Sequence, residues 1–229
     1  MTETNSKLAE RLALVRPLFA ADVALAGADP LGNPPAPYPE EAAGLSPNAV
    51  AKRCKEFAAG RNSVHQAMRQ LGLAPVPVRA GSDRAPIWPE GLVGSITHTK
   101  SCAMAVLARA GSVQGLGIDV EEDTPLKDEL LPAICSDREQ VWLQRQDNPG
   151  QMAKVIFSAK EAAYKAQYTL SRAFYGFDGM ELEFDLAAGV FQAFFTSDRP
   201  PFVRGEAVGG RFVVGAGLIM TTAEIRGRG

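Results

Sequence analysis

Histidine and cysteine are scarce in this chain, and no long apolar run interrupts it. With two histidines, His65 and His98, and three cysteines, a zinc site of the usual nitrogen and sulfur ligands has almost nothing to draw on. Any metal here is expected on carboxylates. Cys54, Cys102 and Cys135 are odd in number, widely spaced and form no Cys-x-x-Cys pair, which fits a reducing compartment. An excess of charge of one sign is also missing. The 24 basic and 26 acidic residues leave a formal charge of -2, which argues against nucleic acid as a partner. No stretch of about 18 apolar residues exists to cross a membrane, and MTETNSKLAE has neither the basic start nor the apolar stretch of a signal peptide. The expectation is a cytoplasmic protein that does not engage a membrane.

What is present is an ordinary globular balance, 46% hydrophobic and 22% charged over 229 residues, enough for a core without staples. Residues 6 to 26 read as a short helix, followed by a loop rich in Pro and Gly. Ser46 and Pro47 then give a helix start and Gly72 a stop. LVGSITH, CAMAVLARA and LGIDVEE read as strands, although the second also suits a strand with a short buried helix. Helical zones follow at DELLPAICSDREQVWLQRQ and MAKVIFSAKEAAYKAQYTL. The chain ends in hairpin signals, with an Ala-Ala-Gly turn between ELEFDL and VFQAFFT and a Gly-Gly turn before RFVVGAGLIMTTAEI. Helices and hairpins interleave without a βαβ rhythm, so the fold class is α+β.

Asp119 and Glu121 stand two apart in a strand and share one face, while Ile118 and Val120 share the other. Two carboxylates side by side repel each other unless a cation sits between them; a strand edge meeting solvent is the alternative. In IFSAKEAAYKAQY the aromatics Phe157, Tyr164 and Tyr168 mark the packed side of a helix. Lys160 and Glu161 lie three and four residues after Phe157, so at least one of them shares or borders that side. Glu161 and Lys165, four apart, suit a helical ion pair, which on a surface is worth only about 0.3 to 0.5 kcal/mol.

The upstream helix has a stripe of Val50, Cys54, Phe57, Val64, Met68 and Leu71 whose missing member is Arg61. Arg53, eight residues earlier, lies about 80° away around the helix. Both guanidiniums could grip one anion, or Arg61 could snorkel to the edge. His98 follows Thr97 at the end of an apolar strand and opens a polar loop, a place where a lone histidine is usually a loop or core residue. His65 has no motif around it.

WPEGLVGSITH, GLGIDVEE and FSAKEAAYK together resemble, in order and spacing, the 4'-phosphopantetheinyl transferases of the Sfp and EntD type. KRCKEFAAGR resembles the helix that precedes these motifs, so the likeness runs from about residue 48 to 177. The resemblance implies Mg2+ held by Asp119, Glu121 and Glu161. It puts Lys160 and Lys165 near the diphosphate of coenzyme A, and Thr97 and His98 near the adenosine 3'-phosphate, with Arg53 and Arg61 joining them. Where family members often carry lysine before the Trp-Pro step this chain has Asp83; Arg79 or Arg84 would have to substitute. The implied architecture is two similar α/β halves, residues 1–113 and 114–229, in a monomer with the active site between them.

The implied reaction moves the phosphopantetheine arm of coenzyme A to a serine of an acyl or peptidyl carrier protein, releasing 3',5'-ADP. The pathway stays open among fatty acid, polyketide, siderophore and other peptide synthesis. A serine hydroxyl is protonated at neutral pH and needs a base. Glu161 is assigned that role, with Lys165 steadying it and Lys160 neutralising developing phosphate charge. SRAFYGF, residues 171–177, is either an aromatic docking surface or internal packing. Two other classes remain as alternatives: another metal-dependent enzyme that cleaves a diphosphate, and a non-catalytic coenzyme A or carrier-binding protein.

Overall fold

The long helices are built where side chains permit close approach to a sheet. In the computed structural model, which describes residues 3–227, helix α1 spans Glu3–Val15, strand β1 Ala24–Ala28, α2 Pro39–Ala42 and α3 Ala51–Gln70. Strands β2 (Leu92–His98), β3 (Ala103–Arg109) and β4 (Val113–Glu122) follow. Helices α4 (Leu131–Ile134), α5 (Asp137–Leu143) and α6 (Pro149–Ser171) lead to β5 (Met180–Asp185), β6 (Val190–Phe195), β7 (Ala207–Gly215) and β8 (Leu218–Arg226). All strand pairs are antiparallel, in one sheet ordered β1-β3-β2 and another ordered β4-β8-β7-β6-β5. The α+β class holds, with α3 against β1 and β3 and α6 against β4 and β8.

Edge strands β2 and β4 of the two sheets meet through hydroxyls. The Ile118 amide donates to Ser95 Oγ at 3.2 Å and the Val120 amide to Thr97 Oγ1 at 3.1 Å. An edge that would otherwise present unpaired amides is thereby satisfied without a carbonyl ladder. One buried cluster, with Val15, Phe19, Met104, Val106, Ile118 and Met220, runs across this seam.

Local chemistry fixes the ends of the helices. Ser136 and Glu139 form a reciprocal capping box at the start of α5. Asn148 caps α6, Pro149 occupies its first turn, and Arg172 closes it in the left-handed conformation at φ 53. Gly72, at φ +72, follows α3.

Four sequence expectations need correction. The stretch read as one helix over 6–26 breaks after Val15, and Ala24–Ala28 joins a sheet as a strand of small residues that has no alternation to betray it. The helix expected from Ser46 begins at Ala51, because the Ser46 carbonyl instead closes a turn by accepting from the Ala49 amide at 2.9 Å. The zone from Asp128 splits into short helices at Pro132 and Cys135. Gly209 and Gly210 lie inside β7 rather than in a turn, and the chain reverses at Ala216 and Gly217.

Candidate functional site

Asp119 is the hub. On β4 it alternates with buried Ile118 and Val120, so its carboxylate faces α6 and β2. Oδ1 accepts from Lys165 Nζ at 2.7 Å and from Thr97 Oγ1 at 3.2 Å, and Oδ2 from Ser158 Oγ at 2.8 Å. Ser158 also hydrogen-bonds Thr221 on β8. One carboxylate thus ties the second sheet, α6 and the edge of the first sheet together.

Glu121, two residues on, pairs with Lys154 Nζ at 3.4 Å. Burial first, then the charge of Asp119, pushes its carboxyl above the ordinary range. Glu161 is raised as well, chiefly by burial, with Lys165 opposing and Asp119 reinforcing the rise. Among the described residues no hydrogen bond or ion pair holds the Glu161 side chain. Three acids therefore crowd one region, one of them without a protein partner.

The arrangement differs from expectation at two lysines and a threonine. Lys165 pairs with Asp119 rather than with Glu161, and also donates to the Ile118 carbonyl at 3.2 Å. Lys160 is only 3% exposed and pairs with none of Asp119, Glu121 and Glu161: Nζ donates to Glu139 Oε2 at 2.7 Å, to the Ile134 carbonyl at 2.8 Å and to the Phe177 carbonyl at 3.1 Å. An ammonium has three protons, so these acceptors exhaust it. In this arrangement Lys160 has no proton left for the diphosphate at which it was expected. The Thr97 hydroxyl is likewise spent on Asp119 and the Val120 amide, not on a phosphate site.

A cavity of about 620 Å³ opens beside α3, lined by Arg53, Arg61, Arg84 and His98 among others. Arg61 is buried and stacks over the Phe57 ring at 4.7 Å, and its Nε has no hydrogen-bond partner. Burial pulls its pKa down. A buried guanidinium with an unused donor is costly unless an anion arrives. Arg53 Nη1 donates to His98 Nε2 at 2.5 Å, which makes that nitrogen the acceptor, and Glu56 lies 3.9 Å from Nδ1. Burial and then the Arg53 charge hold His98 below its usual pKa.

A second cavity shares a wall with this one, and a third shares a wall with the second. Arg84, Pro86 and Ile96 also line a cavity of about 370 Å³ with Trp88, Tyr164 and Lys165. Tyr164 and Phe174 in turn belong to a slot of about 220 Å³ that includes Glu161, Tyr175 and Phe177. Along this path a basic pocket leads past Lys165 to an apolar slot whose carboxylate is Glu161. Asp83 accepts from the Tyr168 hydroxyl at 2.7 Å, and Arg84, at φ 66, is the neighbouring base that lines the path.

The acids suit a hard cation. Among the described residues no group of three His, Cys, Asp or Glu side chains is placed to hold a metal ion. Mg2+ usually takes one or two carboxylates and completes its shell with waters and phosphate oxygens, so an open acidic set beside a cationic pocket fits it.

The structure adds Ser158, Lys154, Glu139 and Glu56 to the residues named from sequence. Ser136-x-x-Glu139 is a capping-box pattern and could have flagged Glu139. Nothing local marks Ser158 or Lys154, whose partners are 39 and 33 positions away. His65, left without a role, donates from Nε2 at 2.9 Å to the carboxylate of buried Glu41, which also takes the Tyr38 and Val78 amides.

Family models match this chain in both parts: "4'-phosphopantetheinyl transferase N-terminal domain" over residues 40–108 and "4'-phosphopantetheinyl transferase superfamily" over residues 115–217. The 4'-phosphopantetheinyl transferase Svp of Streptomyces mobaraensis is 38% identical over 195 residues, covering 82% of this chain and 78% of the relative. The chain belongs to the 4'-phosphopantetheinyl transferase superfamily. The 4'-phosphopantetheinyl transferase PptT of Mycobacterium tuberculosis is 34% identical over 214 residues, 86% of this chain and 90% of that one. Enterobactin synthase component D of Salmonella typhi is 40% identical over a shorter 122 residues, 52% and 50% of the two chains. In this transferase no helix among the described residues is long and apolar enough to cross a membrane.

Proposed function

We infer that this protein transfers the 4'-phosphopantetheine group of coenzyme A to a serine of an apo acyl or peptidyl carrier protein, releasing 3',5'-ADP, with Mg2+ as cofactor. The observation that carries the reading is the buried, unpartnered Nε of Arg61, a residue that lines a cavity with Arg53, Arg84 and His98, next to a second cavity that shares Arg84 and contains Lys165. A donor with a phosphomonoester at one end and a diphosphate further along matches that order of charges. The cationic pocket takes the 3'-phosphate, and Lys165 meets the diphosphate.

Asp119, Glu121 and Glu161 would hold the metal, whose chemistry when bound is to polarise the phosphoryl oxygens. The protein's own residues do the rest. Arg53, Arg61, Arg84 and His98 anchor the nucleotide end, so that the reacting phosphorus is presented in a fixed place. Lys165, held by Asp119, keeps positive charge beside the leaving group. Glu161 accepts the serine proton as the hydroxyl oxygen attacks the phosphorus that bears the pantetheine arm, and the bond to 3',5'-ADP breaks. Its elevated pKa, caused chiefly by burial, supports this role, because a carboxylate raised toward neutrality is a better base.

The division into halves 1–113 and 114–229, a monomeric state and a cytoplasmic location complete the reading. Two antiparallel sheets, each with one long helix, support the division. Intact mass spectrometry on apo carriers incubated with the protein, coenzyme A and Mg2+ is the test. Mass gain by the carrier with matched 3',5'-ADP supports transfer. Release of 3',5'-ADP without a carrier indicates a hydrolase, and no release with any carrier indicates a binding protein.

A further inference from the structure

Lys160 precedes Glu161 on α6 and lines the same slot, yet its ammonium is already fully engaged by the protein. Its three protons go to Glu139, Ile134 and Phe177. Glu139 is equally occupied, since Oε2 also accepts from the Ser136 amide at 2.7 Å and Oε1 from the Leu182 amide at 2.8 Å. Both side chains are 3% exposed. The knot joins α4, α5, α6 and β5 to the carbonyl of Phe177, the first residue of a short 3-10 turn, Phe177–Gly179, that follows the irregular segment after α6.

That segment forms a wall of the Glu161 slot. Phe174, Tyr175, Gly176 and Phe177 all line it, with Tyr164 opposite. Tyr175 and Phe174 meet Tyr164 edge-on at 5.3 and 6.3 Å, and Phe177 packs on Phe157 at 5.4 Å. The chain from Ala173 to Gly176 has no helix or strand of its own. Among the described hydrogen bonds, the Gly176 carbonyl is taken up locally by the Gly179 amide, and the Phe177 carbonyl is taken up by Lys160 from outside the segment. Gln167 Nε2 also donates to the Ala173 carbonyl at 3.5 Å and the Thr196 hydroxyl to the Asp178 carbonyl at 2.8 Å, so the segment is held at its two ends and, at Phe177, by the residue that precedes Glu161.

The slot offers no free cation, because Lys160 is spent, and its lining is otherwise aromatic and apolar. It does not suit a phosphate. Glu161 lines it, and a base meets the acceptor hydroxyl; Phe174 at the mouth is 88% exposed, where a macromolecule can reach it.

We propose that Lys160 is a positioning residue for the acceptor: with Glu139 neutralising it, it tethers the Phe177 carbonyl and holds the Phe174 to Phe177 wall in the shape that receives the serine-bearing helix of the carrier. This rests on the transferase reading above. It differs from a direct role in which the ammonium touches the donor's diphosphate.

The test compares Lys160→Met, Glu139→Gln and the double variant in steady-state transfer, with hydrogen exchange of the 173–178 amides as a second readout. Loss of the tether is expected to raise the carrier KM about tenfold, to leave kcat and the coenzyme A KM within about twofold, and to speed exchange across 173–178. Glu139→Gln should shift the carrier KM in the same direction, and the double variant should be no worse than Lys160→Met, since the pair acts as one unit. A large fall in kcat or a raised coenzyme A KM in Lys160→Met, with normal kinetics in Glu139→Gln, overturns the proposal in favour of phosphate contact. Unchanged exchange and unchanged carrier KM in Glu139→Gln overturn it as well, and that variant keeps the side-chain shape if Lys160→Met fails to fold. Absence of transfer by the wild-type protein would sink the transferase reading instead; faster exchange in the variants would then still establish the tether.

Discussion

Gly117 on β4 lies against the Ala162 carbonyl of α6 so closely that an added Cβ would sit 1.8 Å from the oxygen. Gly115 meets Ala166 in the same way, at 2.3 Å. These two glycines let the helix that carries Glu161 seat itself on the strand that carries Asp119. The neighbours are backbone atoms, which cannot swing aside. Gly117→Ala should therefore destabilise the protein by about 1 to 3 kcal/mol, the usual cost of overpacking, and lower transfer further in the molecules that still fold. Urea unfolding followed by circular dichroism measures the first effect, and a variant with wild-type midpoint and activity would show that α6 is free to move.

Glu161→Gln removes a charge that has no described protein partner. The fold should persist with an unchanged or higher unfolding midpoint, because the burial that raises this carboxyl penalises its ionised form. Transfer should fall by about 10² to 10⁴, the span of general base catalysis. Near-normal turnover in a single-turnover assay would take Glu161 out of the mechanism.

Strand β4 shows how far sequence could go. Alternation placed Asp119 and Glu121 on one face, and the glycine spacing before them now has a steric reason. The partners of Asp119 were not legible, because Thr97, Ser158 and Lys165 reach it from three elements and hydroxyls carry no periodic signal. Lys160 shows the opposite case. Its motif position suggested the substrate, yet Glu139, 21 residues earlier, takes its charge, a long-range pairing that helix periodicity cannot reveal. Arg61 was visible as a gap in an apolar stripe; that its Nε lacks a partner is a fact of packing alone.

Arg61 gives the sharpest test of the nucleotide pocket. Replacing it with Met removes a buried cation and its unpaired donor, so the ligand-free protein should keep or gain stability. The coenzyme A KM should rise about 10- to 100-fold, corresponding to the loss of one charge-assisted contact of about 1.4 to 2.8 kcal/mol. With 3'-dephospho-coenzyme A as donor the same substitution should matter far less. Equal losses with both donors would place the 3'-phosphate elsewhere.

The acids beside Asp119 set the response to pH and metal. Burial and then the Asp119 charge raise Glu121, and burial, against Lys165, raises Glu161, both from an ordinary value of 4.5. A carboxyl that protonates more easily folded than unfolded favours the fold in acid. Its contribution is fully present below the unfolded value and is lost as pH rises through the higher folded value. In chelator, the wild type should therefore lose stability from about pH 4.5 upward relative to a Glu121→Gln, Glu161→Gln double variant. Mg2+ binds the ionised carboxylates, so adding it should close that gap for the wild type and leave the double variant unmoved. Urea midpoints at acid and neutral pH, with and without Mg2+, decide the matter. A wild type that gains on the double variant as pH rises in chelator would mean that these acids are already neutralised by Lys154 and Lys165, leaving a cation little to relieve.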